Sequence, residues 1–218
     1  MGGRIPKAAA HAEATKKKVT APEDGSYNGH LPAWRIGKFD YKSKWGLRSL
    51  LGEFVFNSNS TLDEKIIEKE DDKLYEVIKG LDGKEFASVE DFWHRLSTQY
   101  GKDIPSEILE HISACLVREG FQKKIFPKLQ SYEKNTWSEI LSFTHRRKDG
   151  MVSNNHPVPV VNLCKEARDR LEELRYNVDF LFSLRLEAML RIYGFRVQNY
   201  LEILWVDREH EVYEYDRD

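Results

Sequence analysis

Arginine, histidine and tyrosine gather near the C-terminal end of this chain. Together they are side chains that can handle a phosphodiester. Arg185, Arg191 and Arg196 come first, and His210 and Tyr213 follow. Cleavage of RNA by general acid–base catalysis needs a group that titrates near neutrality and a cation for the charge that builds on phosphorus. His210 and Tyr213 can supply proton transfer, and a guanidinium grips phosphate through two parallel hydrogen bonds. The catalytic candidates are therefore His210, Tyr213 and Arg191. The RNA-binding candidates are Arg185 and Arg196, joined by Arg146 and Arg147 of the basic run His145-Arg146-Arg147-Lys148. A plainer reading stays open: the arginines pair across a sheet with Glu187, Glu202, Asp207 and Glu209, and His210 is a surface histidine.

These residues need a sheet to position them. The spacing predicts consecutive antiparallel strands over about 180–187, 190–197, 200–206 and 210–215. Period two puts Arg191 with Tyr193 on one face and Arg185 with Ser183 on one face, and turns Arg196 away from Tyr193. His210 and Tyr213, three apart, share a side only if the strand bends or ends between them. Gly194 inside a strand signals a bulge or a close backbone approach, and Gln198-Asn199 reads as a two-residue hairpin turn. A helix capped by Asn162 precedes the sheet, with Leu163, Ala167, Leu171 and Leu174 in one stripe. The expected fold class is α+β, an antiparallel sheet of four or more strands with helices packed on one face.

Upstream, residues 1–30 are rich in Ala, Lys and Gly and read as a flexible basic arm. Trp34 to Asp40 alternates like a strand. Ser60 can cap a short helix, and Leu74 to Ile78 reads as a strand. Ser88, with Asp91 three residues on, starts a helix that Gly101 stops. Pro105 opens the next helix and Gly120 closes it. A further helix is expected to cover Glu133 to Leu141, and 144–159 reads as a loop in which His156 is a turn residue. The organisation is then an α+β core from 31–56 and 123–218, with 57–122 as a helical insertion or small subdomain.

Composition bounds the partners. Of 218 residues, 40% are apolar and 32% charged, and the net charge is −2, so any anion site must be local. The two cysteines, Cys115 and Cys164, read as buried thiols, and no Cys/His cluster has metal-ligand spacing. No metal and no cofactor is expected, since phosphate-loop, nucleophile-elbow and zincin motifs are missing. No apolar run approaches the roughly 18 residues needed to span a bilayer. No secretory h-region is visible, so no membrane partner and a cytoplasmic location are expected.

The helix and the segments Leu184 to Leu186, Arg191 to Arg196, Leu201 to Trp205 and His210 to Tyr213 resemble the C-terminal half of RelE/ParE-type toxins. That resemblance implies helices on an antiparallel sheet, basic side chains on the RNA backbone, and a terminal Tyr or His assisting attack by a 2′-hydroxyl. The same region is similar to short uncharacterised bacterial proteins in its Trp137 to Ile140, His156, Glu166 to Leu171 and Arg191 to Arg196 segments. Gly80 to Trp93 and Tyr100 to Ile104 resemble the start of a barstar-like inhibitor, although Asp103 and Pro105 depart from that pattern and its acidic contacts do not carry over. The expected function is a toxin-like, RNA-cleaving protein of a bacterial toxin–antitoxin or defence system, with RNA or a protein antitoxin as partner. The alternative is a non-catalytic protein-binding module, an inhibitor or adaptor, whose acids from Asp207 to Asp218 meet a basic protein.

Overall fold

A computed structural model describes residues 26–56, 72–147 and 150–213. The arm up to residue 25, the helix expected at Ser60 and the acids Glu214, Asp216 and Asp218 lie outside the described residues. In chain order the structure has strand β1 (Ala33–Arg35), helix α1 (Leu47–Leu51), β2 (Phe54–Val55), α2 (Asp72–Gly80), β3 (Glu85–Phe86), α3 (Val89–Tyr100) and α4 (Ser106–Gly120). A π-turn (Phe121–Ile125) joins α4 to α5 (Phe126–Leu129). Then come α6 (Trp137–Ser142), β4 (Thr144–Arg147), β5 (Gly150–Ser153), β6 (His156–Pro159), a 3-10 turn (Val160–Asn162), α7 (Lys165–Glu173), β7 (Phe180–Arg185), β8 (Arg191–Val197) and β9 (Tyr200–Asp207).

The main sheet has five strands in the order β1-β9-β8-β7-β6. Strands β6 to β9 are antiparallel, and β1 pairs parallel with β9 at the edge. The class is α+β, as the alternating pattern of 180–207 implies, but the sheet is mixed rather than purely antiparallel. Of the segment expected as the fourth antiparallel strand, 210–215, the described residues 210–213 do not join the sheet. That place is taken by β6, from the stretch expected to be a loop, while Tyr213 pairs with Leu163 in an isolated bridge outside the sheet. The β8–β9 turn bends at Gln198, which takes a left-handed φ of 54°. Gly194 sits at the register shift opposite Leu204, and a Cβ there would stand 2.1 Å from the Glu202 carbonyl oxygen. The bulge sends Leu204 and Trp205 into the same core.

Both faces of the sheet are covered. Phe182, Leu184, Ile192, Leu201 and Ile203 share one core with Leu50, Leu74, Phe92, Ile112, Leu116 and Trp137 of the helical layer. Leu181, Tyr193, Phe195, Leu204 and Trp205 pack instead on Ala167 and Leu171 of α7. The structure thus adds a second helical face to the expected arrangement. Burial of each such Leu, Ile or Phe is worth roughly 1.5–3 kcal/mol, so period-two alternation is stabilised on both sides at once. Asp40, in the loop after β1, ties the second face together. It accepts hydrogen bonds from Arg170 Nε (2.8 Å), Arg170 Nη2 (2.6 Å) and Trp205 Nε1 (3.1 Å).

Local signals explain most helices. Ser88 Oγ accepts the Asp91 amide at 3.2 Å, and Gly101 ends α3 with φ 72°. Thr136 and Glu139 form a reciprocal capping box at α6. Three expectations are corrected. Residues 74–78 are helix, because Leu74 and Ile78, four apart, face the core together. Gly120 does not close α4: the helix passes through it, because a Cβ there would stand 2.7 Å from Leu50 Cγ and a bare Cα fits. Finally, α7 starts after Cys164 rather than at Asn162, which lies in the 3-10 turn.

Candidate functional site

Strand register builds the site. His156 on β6 pairs with Ser183 on β7, Ser183 with Tyr193 on β8, and Tyr193 with Trp205 on β9. Two residues further along the same face, Arg185 pairs with Arg191 and Arg191 with Asp207. Arg191 with Tyr193 and Arg185 with Ser183 share a face, as their spacing implies, and the β7–β8 register joins the two pairs on one side of the sheet. Beyond Asp207 the chain leaves the sheet and turns back over this face.

Asp207 makes that turn. It is 1% exposed, and its two carboxylate oxygens accept the amides of Glu211 (3.0 Å) and Val212 (2.9 Å). His210 adopts a left-handed φ of 59° within the turn, a conformation uncommon for a residue with a side chain. The Cys164 amide donates to the Val212 carbonyl at 2.9 Å, which holds the end of the turn to the start of α7. The strand has ended before His210, so His210 and Tyr213 both reach the same cavity.

That cavity has a volume of about 230 Å³ and is lined by His145, His156, Ser183, Arg191, His210 and Tyr213, with Val152, Ser153 and Asn154 at its side. The β4–β5 hairpin forms one wall. His145 Nδ1 stands 2.7 Å from Asn154 Oδ1. Since that oxygen only accepts, Nδ1 carries the proton. Arg185 Nη1 donates to the same oxygen at 3.2 Å, which links the arginine to the histidine. His156 Nδ1 donates to the Pro157 carbonyl at 3.1 Å, and its ring stands edge-on to Tyr213 with centroids 6.4 Å apart.

Charge at the site is unbalanced. Arg191 is 7% exposed, and its Nη1 donates to the carbonyls of Glu187 (2.8 Å), Ala188 (3.2 Å) and Leu190 (3.1 Å). Among the described residues neither Arg185 nor Arg191 has an ion pair. Glu187 is bound to Lys128 instead, and the Asp207 carboxylate is taken up by backbone amides. Burial, and then repulsion from Arg185, push the Arg191 guanidinium down to about 10. Burial and the negative charge of Asp207 push the Tyr193 hydroxyl well above the usual phenol range. That hydroxyl is buried with no hydrogen bond of ordinary geometry, although Ser183 across the strand is near enough to favour its ionised form slightly. The Asp207 charge across the strand offsets the Arg191 burial only in part, and a buried cation that no carboxylate ion-pairs directly is costly unless an anion joins it.

The remaining candidates lie elsewhere. Arg196 is on the opposite face, its guanidinium 4.5 Å above the Trp137 ring and hydrogen-bonded to Asn28. Arg146 is exposed beside His145 on the hairpin and so projects to the other side of it. Arg147 contributes its backbone to the β4–β5 ladder opposite Gly150. Sequence reasoning missed His145, His156, Ser183 and Asn154 as site residues. The available signal was Asp149-Gly150 flanked by short alternating segments, a hairpin signature that lifts 144–153 out of the loop class. Among the described residues no group of three His, Cys, Asp or Glu is arranged to hold a metal ion, and no helix is long and apolar enough to cross a membrane. Comparison with family models, with curated proteins and with solved structures gives no match.

Proposed function

We propose that this chain is an RNA-directed, toxin-like endoribonuclease whose active site is the cavity at the end of β6–β9. One observation carries the reading: Arg191, without a carboxylate ion pair, lines a cavity together with His145, His156, His210 and Tyr213, and a second guanidinium, Arg185, stands behind the lining residue Asn154. Guanidiniums neutralise the phosphate, and imidazoles move protons to and from the reacting oxygens. At about 230 Å³ the cavity is smaller than the roughly 300–1,000 Å³ of most small-molecule sites. It suits a phosphate with its adjoining sugar, with the base left outside. That volume would also accept a carboxylate side chain, which supports a second reading as a protein-binding module that grips an acidic residue.

The test uses the full chain with end-labelled single-stranded RNA, in chelator, at low ionic strength. Cleavage that disappears in His210→Ala and in Arg191→Gln is the expected result. Intact RNA together with saturable binding of a Glu/Asp-rich peptide would replace the first reading by the second.

A further inference from the structure

Three histidines line the cavity, and the sequence motif singled out only His210. His156 is placed differently from the other two. It sits on a strand of the main sheet rather than on a hairpin or turn, directly across from Ser183 and on the face that carries Arg191. Its Nδ1 donates to the Pro157 carbonyl, and a carbonyl can only accept. The neutral ring therefore carries its proton on Nδ1 and its lone pair on Nε2. The Tyr213 ring packs edge-on against the imidazole and limits its rotation. A proton acceptor of fixed tautomer and fixed orientation beside a cationic pocket is what abstraction of a hydroxyl proton requires.

Resting on the reading of the cavity as an RNA-cleaving site, we infer that His156 is the general base, acting on the 2′-hydroxyl next to the phosphate held by Arg191, with Arg185 behind Asn154 adding charge. His156 Nε2 takes the 2′-hydroxyl proton, the 2′-oxygen forms a bond to phosphorus, and the bond from phosphorus to the 5′-oxygen breaks. His210, across the cavity on the turn after β9, gives its proton to that leaving oxygen. The products are a 2′,3′-cyclic phosphate and a 5′-hydroxyl, and no water or redox partner enters the step. The substrate class follows: a strand with a ribose at the cut position, and not DNA. The charged and titratable groups around His156 are His145 on the hairpin, Arg185 on β7, Arg191 and Tyr193 on β8, Asp207 on β9, and His210 and Tyr213 on the turn.

The test compares the wild-type chain with His156→Asn, which keeps a donor for the Pro157 carbonyl, and with His156→Ala. Substrates are a DNA strand carrying one ribonucleotide, the same strand with a 2′-O-methyl at that position, and the all-DNA strand. Cutting only 3′ to the free ribose, with a cyclic phosphate end, is expected. His156→Asn should lose roughly 10²- to 10⁴-fold in rate with inorganic phosphate affinity unchanged. Imidazole should restore part of the rate to His156→Ala, which a purely structural role would not allow. Cutting of the 2′-O-methyl or all-DNA strand, or a His156→Asn rate near wild type, overturns this inference while the site reading stands. A wild-type chain that neither cuts the ribose strand nor binds phosphate overturns the site reading, and this inference with it.

Discussion

Replacing Arg191 by Met should separate binding from stability. Methionine has similar length and no charge. In the native protein, burial and Arg185 push the guanidinium down to about 10, a drop that corresponds to about 3 kcal/mol of penalty on the charged form. Against that stand the Nη1 hydrogen bonds to the carbonyls of Glu187, Ala188 and Leu190. Two protons shared among three carbonyls contribute about 3–6 kcal/mol at ordinary values for a charged donor. The two terms largely cancel, so Arg191→Met should change stability by less than about 3 kcal/mol, whereas breaking a true buried ion pair costs about 3–5 kcal/mol. Phosphate behaves differently. At about 100 times its dissociation constant a native-state ligand adds about 2.7 kcal/mol, or roughly 5–10 °C in melting temperature for a chain of this size. The assay is thermal unfolding with phosphate against chloride at equal ionic strength. Wild type should gain that shift and Arg191→Met should lose it. A variant destabilised by more than about 5 kcal/mol, or one that keeps the full phosphate shift, would refute the reasoning and leave Arg191 as a strut for the 187–190 turn.

Asp207→Asn removes one of the two acceptors that hold the 208–213 turn, at about 1.5–3 kcal/mol. Phosphate binding should persist by titration while RNA cleavage falls roughly 10²-fold, because His210 is misplaced rather than removed. For Asp40, burial raises its carboxyl, but hydrogen bonds from Arg170 and Trp205 and the charge of Arg170 carry it below the usual carboxylate range. Its contribution is then complete above the ordinary carboxyl range and is lost as pH falls through the lowered folded value. Asp40→Asn should cost about 3–5 kcal/mol at neutral pH and flatten the acid limb of stability measured by urea unfolding. Gly194→Ala sets a Cβ 2.1 Å from the Glu202 carbonyl oxygen. The bulge must open, and chemical denaturation should show a loss of about 1–3 kcal/mol.

Where local chemistry sufficed, the sequence was legible. Ser88 and Gly101 bracket α3 because capping and a left-handed terminus are properties of a few neighbouring residues. Gly194 marked the bulge because only a missing side chain tolerates that approach. Residues 74–78 misled because five residues with four apolar side chains fit a strand or a helix, and the choice fell to the core that Leu74 and Ile78 enter together. The hairpin strands and β6 are only four residues each and partly polar, so their pairing depends on the partner more than on their own pattern.

The sequence alone determined which side chains share a face within a strand, since alternation is a property of the extended backbone. It placed Arg191 with Tyr193, Arg185 with Ser183, and Arg196 away from Tyr193. Only the tertiary structure decided that His156 joins that face through the register of β6 on β7, and that the hairpin brings His145 beside it. It also decided that Asp207 ends the strand early enough for His210 and Tyr213 to meet in one cavity. Those outcomes rest on contacts between residues far apart along the chain, whose free energy no local window of sequence contains.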